Sequence, residues 1–201
     1  MARPDKRLWQ VPDLDMNYGL GERIQLKLDI SWLVLEQSGR GPIGGAGNWI
    51  AGVKWRFLDQ DKYGVSVSVY PQIEWNIVRS SIRRGLVERG TQYLLPVQIA
   101  RRVGPVELDF ESGYNFLEGS TDEWIYGFAA GWPISDKLEL LAELFGVASR
   151  SFDTDQLTLN FGARQKLTGN VTLLMAVGRD LRSAAGERLQ LIGYFGVELS
   201  F

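Results

Sequence analysis

Ionisable side chains recur at alternate positions along this sequence, and few kinds of chemistry are open to them. Lys27 with Asp29, Lys54 with Arg56, Glu107 with Asp109 and Glu111, Glu139 with Glu143, and Arg164 with Lys166 each fall on one side of an extended chain, as does Glu74. Carboxylates at i and i+4 on one strand, such as Glu107 and Glu111 or Glu139 and Glu143, stand about 13 to 14 Å apart. That is too far for a glycosidase pair on a single strand. Carboxylates paired across strands remain an enzymatic alternative, and a Ser-Lys dyad leaves no mark that a sequence can locate. The sequence holds no histidine and no cysteine, however. Ser-His-Asp triads, imidazole metal sites, thiolate nucleophiles, zinc thiolates and disulfides are all excluded. The expectation is a protein that is not an enzyme, with no catalytic residue, cofactor or metal ligand. The Gly-rich run 39–47 (GRGPIGGAG) lacks the Gly-Lys-Ser/Thr ending of a phosphate-binding loop and no helix follows it, so it reads as a flexible loop.

Alternating charge needs strands to position it, and the sequence supplies them. Residues 13–20 set Asp13, Asp15, Asn17 and Gly19 against Leu14, Met16, Tyr18 and Leu20. Next, Ile24, Leu26, Leu28, Ile30, Trp32 and Val34 oppose Gln25, Lys27, Asp29 and Ser31. A helix would scatter those charges around its circumference. Residues 49–57 set Trp49, Ala51, Val53, Trp55 and Phe57 against Gly52, Lys54 and Arg56, and residues 63–75 set Val65, Val67, Val69, Ile73 and Trp75 against Ser66, Ser68, Gln72 and Glu74. Further strands are expected over 92–101, 106–116, 123–134, 138–148, 156–167, 171–181 and 189–201, eleven in all. In the strand at 138–148, Leu141, Phe145 and Val147 share a face with Glu139 and Glu143, which points to local packing there. Pro71, Pro96 and Pro133 each delete a ladder donor and mark bulges or strand ends.

The connections alternate in length. Short turns fall at 21–22, 59–62, 103–105, 135–137 and 168–170, and longer loops at 36–48, 76–90, 117–122, 149–155 and 182–188. Outer-membrane barrels place short turns on the periplasmic side and long loops outside. The expectation is an all-β, antiparallel up-and-down transmembrane β-barrel formed as a single domain over 1–201. Residues 1–12 would be an extracellular segment leading into the first strand present. An even strand count implies a twelve-stranded parent, here with eleven strands. Residues 1–4 open no signal sequence. No run of eighteen apolar residues exists, so a membrane-spanning helix is excluded. With 22 basic against 24 acidic side chains there is no electrostatic footprint for nucleic acid.

The indoles separate a membrane barrel from a soluble one. Trp32, Trp49, Trp75 and Trp124 fall on the apolar face near the long-loop ends of their strands, and Trp55 and Trp132 near the short-turn ends. Two belts of this kind suit the two membrane interfaces, where Phe201 closes the terminal strand. A soluble sandwich or ligand-binding barrel would instead put the charged face outside and every indole inside. A small closed barrel has no room for that volume.

The run VPDLDMNYGLGERIQLKLDI, the Gly-rich stretch, NWIAGVKWRFLDQ, GPVELDFESGYNF, LELLAELFG, NFGARQKL and the closing aromatic strand resemble the outer-membrane family named for the MetA pathway of phenol degradation, whose members are described as transporters. The resemblance implies a location in the outer membrane of a Gram-negative bacterium and passage of small organic or aromatic solutes. The terminal strand ending in Phe201 is similar to the signal read by the outer-membrane assembly machinery, which would be a partner together with outer-membrane lipid.

The charged face then becomes a lumen lined by Lys27, Asp29, Lys54, Arg56, Glu74, Glu107, Asp109, Glu111, Glu139, Glu143, Arg164 and Lys166, with Glu139 paired to Lys166. It either conducts small solutes through a transverse field or forms a salt-bridged, non-conducting scaffold. Loop 76–90, with Arg79, Arg83, Arg84 and Arg89 against Glu88, either meets lipopolysaccharide phosphates or is simply solvated.

Overall fold

The computed structural model describes residues 6–183 and 188–201, and these are almost entirely antiparallel β-sheet. In chain order the elements are β1 (Lys6–Leu20), β2 (Ile24–Gln37), β3 (Ile43–Leu58), α1 (Gln60–Tyr63), β4 (Ser66–Val69), β5 (Gln72–Trp75), α2 (Arg79–Arg83), β6 (Gln92–Val103), β7 (Val106–Leu117), β8 (Glu123–Pro133), β9 (Leu138–Ser149), β10 (Asp155–Lys166), β11 (Val171–Ser183) and β12 (Ile192–Leu199). Hydrogen-bonded neighbours follow chain order from β1 to β12, with β5 pairing β3 and β6. The topology is an up-and-down meander joined by hairpins. Two compact units emerge from the contacts. One runs to Trp55 and adds Tyr70–Leu95 and Phe116–Ser120; the other holds Arg56–Val69, Pro96–Asn115 and Thr121–Phe201.

Eleven strand places are occupied, as the alternation of the sequence implies, but one place is filled by two pieces. Residues 63–75 are not a single strand: Ser66 pairs with Ala100 and Gln72 with Leu94 in one continuous register, and the ladder lapses at Tyr70 and Pro71. Pro71 has no N–H to donate. Its carbonyl accepts from the Val53 N–H at 3.1 Å instead. Of the other prolines, Pro133 ends β8, whereas Pro96 sits fully buried inside β6. The turn expected at 59–62 contains the short helix α1.

In the first unit the strands run longer than the alternation suggests. β1 begins at Lys6 rather than at residue 13, pairing Lys6 with Gln37 and Leu20 with Ile24, with a register shift between Gln10 and Asp13. That shift, at Val11-Pro12, is what hides the strand's first half in the sequence. Residues 1–5 of the expected leading segment lie outside the described residues. The long loop at 36–48 is likewise mostly strand: Leu35 pairs with Ile43 and Leu33 with Gly45. Residues 43–47 of the Gly-rich run therefore belong to β3 and have a packing role, and only residues 39–42 remain in the exposed turn. A Cβ added to Gly45 would lie 2.7 Å from Leu86 Cδ1 and 2.9 Å from Ser81 Oγ, so only glycine lets those residues approach. The unit's apolar cluster is Leu33, Leu35 and Leu86, with Ile43 and Val87 packed against it.

The second unit pairs β7 through β12 in register, hairpin by hairpin. β11 extends to Ser183, into the loop expected at 182–188, of which residues 184–187 lie outside the described residues. Pro96 is accommodated because the facing residue is Gly113. A Cβ at Gly113 would lie 2.8 Å from Pro96 Cα, 2.9 Å from Pro96 Cβ and 3.1 Å from Ile125 Cγ1. One of those three atoms is backbone, which cannot swing away.

Gly113→Val is expected to cost about 1–3 kcal/mol through overpacking. Gly19→Ala, where nothing lies within 4 Å of the added carbon, should leave stability nearly unchanged. Urea unfolding of the two refolded variants in lipid vesicles measures the difference.

Candidate functional site

Alternation gives most strands one polar face, and in each unit that face gathers ionised side chains. In the first, Lys27 Nζ lies 3.1 Å from Asp15 Oδ2 and 3.7 Å from Asp29 Oδ2. Glu74 accepts from Asn48 Nδ2, and Asn76 Nδ2 donates to Asn48 Oδ1 at 3.2 Å. Lys54 Nζ stands 5.9 Å from the ring centroid of Tyr70, within cation–π reach. These groups largely satisfy one another.

The second unit contains a cavity of about 370 Å3 whose lining includes Glu107, Asp109, Glu111, Glu139, Glu143 and Arg164, with Leu141 and Phe145. Leu141 and Phe145 stand beside the two glutamates of β9, as their shared face implies, but they line this cavity and do not fill it. Register explains the pairing. Glu139 stands opposite Arg164, whose Nη1 lies 3.4 Å from Glu139 Oε2, and Asn160 stands opposite Glu143 and donates to it at 2.7 Å. Glu139 does not pair with Lys166. The hairpin at 150–154 sets the β9–β10 register, and it places Lys166 beyond Glu139, where the Lys166 N–H donates to the Lys137 carbonyl at 2.8 Å. Gln98 Nε2 donates to Glu111, and Arg102 Nη2 reaches Glu107 at 3.5 Å, with both of those side chains more than half exposed. Such an exposed pair contributes little stability. Arg56, expected to share a basic strip with Lys54, binds Asp59 at 2.8 Å.

The opposite face is apolar and uncovered. Trp32, Trp55, Trp124 and Trp132 are exposed there, and so are Tyr93, Leu95, Phe110, Phe128, Phe161 and Phe195. Trp49 and Trp75 face each other across the β3–β5 ladder with ring centroids 6.3 Å apart. Trp124 meets Tyr114 edge-on at 4.8 Å and lies nearly parallel to Phe152 at 6.5 Å. Phe152 holds φ at 60°, which is unusual for a bulky residue and keeps its ring against that indole. Phe201 is fully exposed beyond β12. Trp9, opposite Val34, joins this set, because β1 is already strand where the alternation predicts only a leading segment.

Asp180 is the residue that alternation could not reveal. It is fully buried and accepts from Gln156 Nε2 (3.0 Å to each oxygen), Thr158 Oγ1 (2.8 Å) and the Leu189 N–H (2.8 Å), while Arg188 donates to its carbonyl from Nε and Nη2. One carboxylate thus ties β10, β11 and the approach to β12. The sequence shows only a lone carboxylate between Arg179 and Arg182, and its partners lie 22 and 24 positions away. Among the described residues no cluster of acidic side chains has the form of a metal site, and no helix is long and apolar enough to cross a membrane.

No family model matches the sequence, and no curated protein is similar to it. In three dimensions the chain is similar to the COG4313 outer membrane channel from Pseudomonas putida F1, with a TM-score of 0.67 over 92% of this chain and 79% of that one, at 13% identity. At that identity the likeness concerns fold alone. The fold is that of an antiparallel up-and-down outer-membrane β-barrel.

Asp180→Ala leaves the Gln156 amide, the Thr158 hydroxyl and the Leu189 N–H without their acceptor, an expected loss of about 1–3 kcal/mol. Asp180→Asn, which keeps acceptor capacity, should lose less. Denaturation midpoints in vesicles rank the two.

Proposed function

We propose that this chain is a passive outer-membrane channel for small solutes, with cations favoured over anions along the wall of the second unit. Strand alternation supports the membrane part, because a face carrying so many exposed large aromatic and aliphatic side chains is out of place in water and suited to lipid. Strands of 11 to 13 residues in β6 through β11 suffice to cross a bilayer when tilted. The fold shared with an outer membrane channel supports the same reading. In this setting the terminal strand serves assembly, and the aromatic ends of the strands meet lipid and lipopolysaccharide.

The observation that carries the channel reading is the cavity. Five carboxylates line it against Arg164, with Arg102 at Glu107 beside it. A lumen built only for mutual neutralisation would balance its charges. Around this cavity carboxylates outnumber guanidinium groups, which favours cations over anions in the water beside it. Organic solutes with an apolar body find Leu141 and Phe145 in the same lining. The alternative is a non-conducting scaffold, and the closed Asp15–Lys27–Asp29 and Arg164–Glu139 pairs favour it.

Planar-bilayer recording should give discrete conductance with a reversal potential on the cation side. Asp109→Asn combined with Glu143→Gln should move the cation-to-anion permeability ratio several-fold toward unity. Lys54→Gln and Arg56→Gln should move it less, since those cations are already held by Tyr70 and Asp59. Absence of discrete conductance in folded protein would favour the scaffold.

The membrane reading has its own test. Phe161→Arg, in mid-strand on the apolar face, should cost about 2–4 kcal/mol if that face meets hydrocarbon. On a water-facing surface it would change stability by no more than about 0.5 kcal/mol.

A further inference from the structure

Residues 76–91 join β5 to β6, and they do not stand out from the sheet. They lie on the charged face of β2 and β3, the face of Lys27 and Asp29, which changes character near its end to present Leu33 and Leu35. Leu86 seats on that pair, and Ser81 is fully buried beside it. Gly45, opposite Leu33, is the recess that admits both: any side chain there would occupy the space of Leu86 Cδ1 and Ser81 Oγ. Arg84 adds a hydrogen bond from Nη1 to the Gly44 carbonyl at 2.8 Å. Two leucines on an otherwise ionised face, and a glycine opposite one of them, are explained together by a segment built to dock there.

We propose that residues 76–91 are a docked constriction that sets the upper size of the solutes passing along this face, an inference that rests on the channel reading. The segment is a separable body. Its turns close on themselves, with Ser81 N–H to Val78, Arg84 N–H to Ser80, Gly85 N–H to Ile82 and Leu86 N–H to Ser81. It is held to the wall by side chains and not by a ladder. Its two ends are anchored: Asn76 binds Asn48, and Thr91 exchanges hydrogen bonds with Glu118, its N–H to Oε2 and its carbonyl with the Glu118 N–H, both at 3.0 Å. Between fixed ends, the docked body takes the width of a helical turn, about 10 Å, from the space over the charged face of β2 and β3. Arg79, Arg83 and Arg89 stay exposed, as does Arg84, whose guanidinium reaches the wall at Gly44. These arginines also report its position, because a docked turn resists trypsin and a released one does not.

The test uses two variants of the full chain. Leu86→Asp puts a charge into the dry seat, and replacement of residues 79–89 by a short Gly-Ser linker removes the body whatever its docking strength. Each is refolded, checked for native heat-modifiable migration, and assayed for trypsin cleavage, single-channel conductance and exclusion of uncharged polyethylene glycols of graded size. Cleavage of Leu86→Asp should be at least tenfold faster than wild type. Conductance of the linker variant should rise several-fold, and larger polymers should enter it. Conductance and exclusion limit unchanged in the linker variant, with a conducting wild type, would overturn the constriction and leave the channel reading standing. A silent wild type with a conducting linker variant would support the constriction as a complete closure. Silence in all three folded proteins would remove the channel reading and the constriction with it.

Discussion

A strand sends successive side chains to opposite faces, and this single geometric fact governs the molecule. Because the period is two, no strand can slip by one residue without driving Lys27 or Glu139 into the apolar side and Leu26 or Leu140 into the charged side. Every hairpin therefore inherits its register from the need to keep two unlike surroundings apart. In water the uncovered aromatic face would be a liability; against lipid it would be the favourable surface, since the ladder satisfies the N–H and C=O groups that hydrocarbon could not.

Where the ladder is interrupted, compensation is local and specific. Pro71 breaks a strand into two pieces and leaves a carbonyl that Val53 uses. Pro96 survives inside β6 because Gly113 removes the side chain that would collide with it. Gly45 performs the same service for Leu86 and Ser81. At Gly113 and Gly45 a glycine in a strand marks close approach of another part of the chain, which its loss of ladder stability would otherwise make unfavourable.

The ionised face divides into parts with different consequences. In the first unit, acids and bases are interleaved and meet within ion-pair distance, as Lys27 does with two aspartates. In the second, carboxylates outnumber guanidinium groups around a cavity. Balanced charge holds strands together, whereas surplus charge acts on whatever enters the water beside it. Asp180 represents a third use: a buried carboxylate whose charge is absorbed by an amide, a hydroxyl and a backbone N–H, fastening a loop root.

The meander, the assignment of Trp32, Trp55, Trp124 and Trp132 to the apolar face, and the gathering of Glu107, Asp109, Glu111, Glu139, Glu143 and Arg164 on the charged one were all legible in the sequence, because alternation is a local property that each strand carries in its own residues. What escaped it was decided between residues distant in the chain. Glu139 meets Arg164 and not Lys166 because a hairpin register sets that pairing. Residues 43–47 form strand although glycines show no alternation, since their role is to receive Leu86 from some forty positions later. The 76–91 segment folds onto the wall because Leu33 and Leu35 offer it a dry seat, and no periodicity records where a loop comes to rest. Side-chain direction follows from backbone geometry one residue at a time; partnership depends on which surfaces the folded chain brings within a few ångströms.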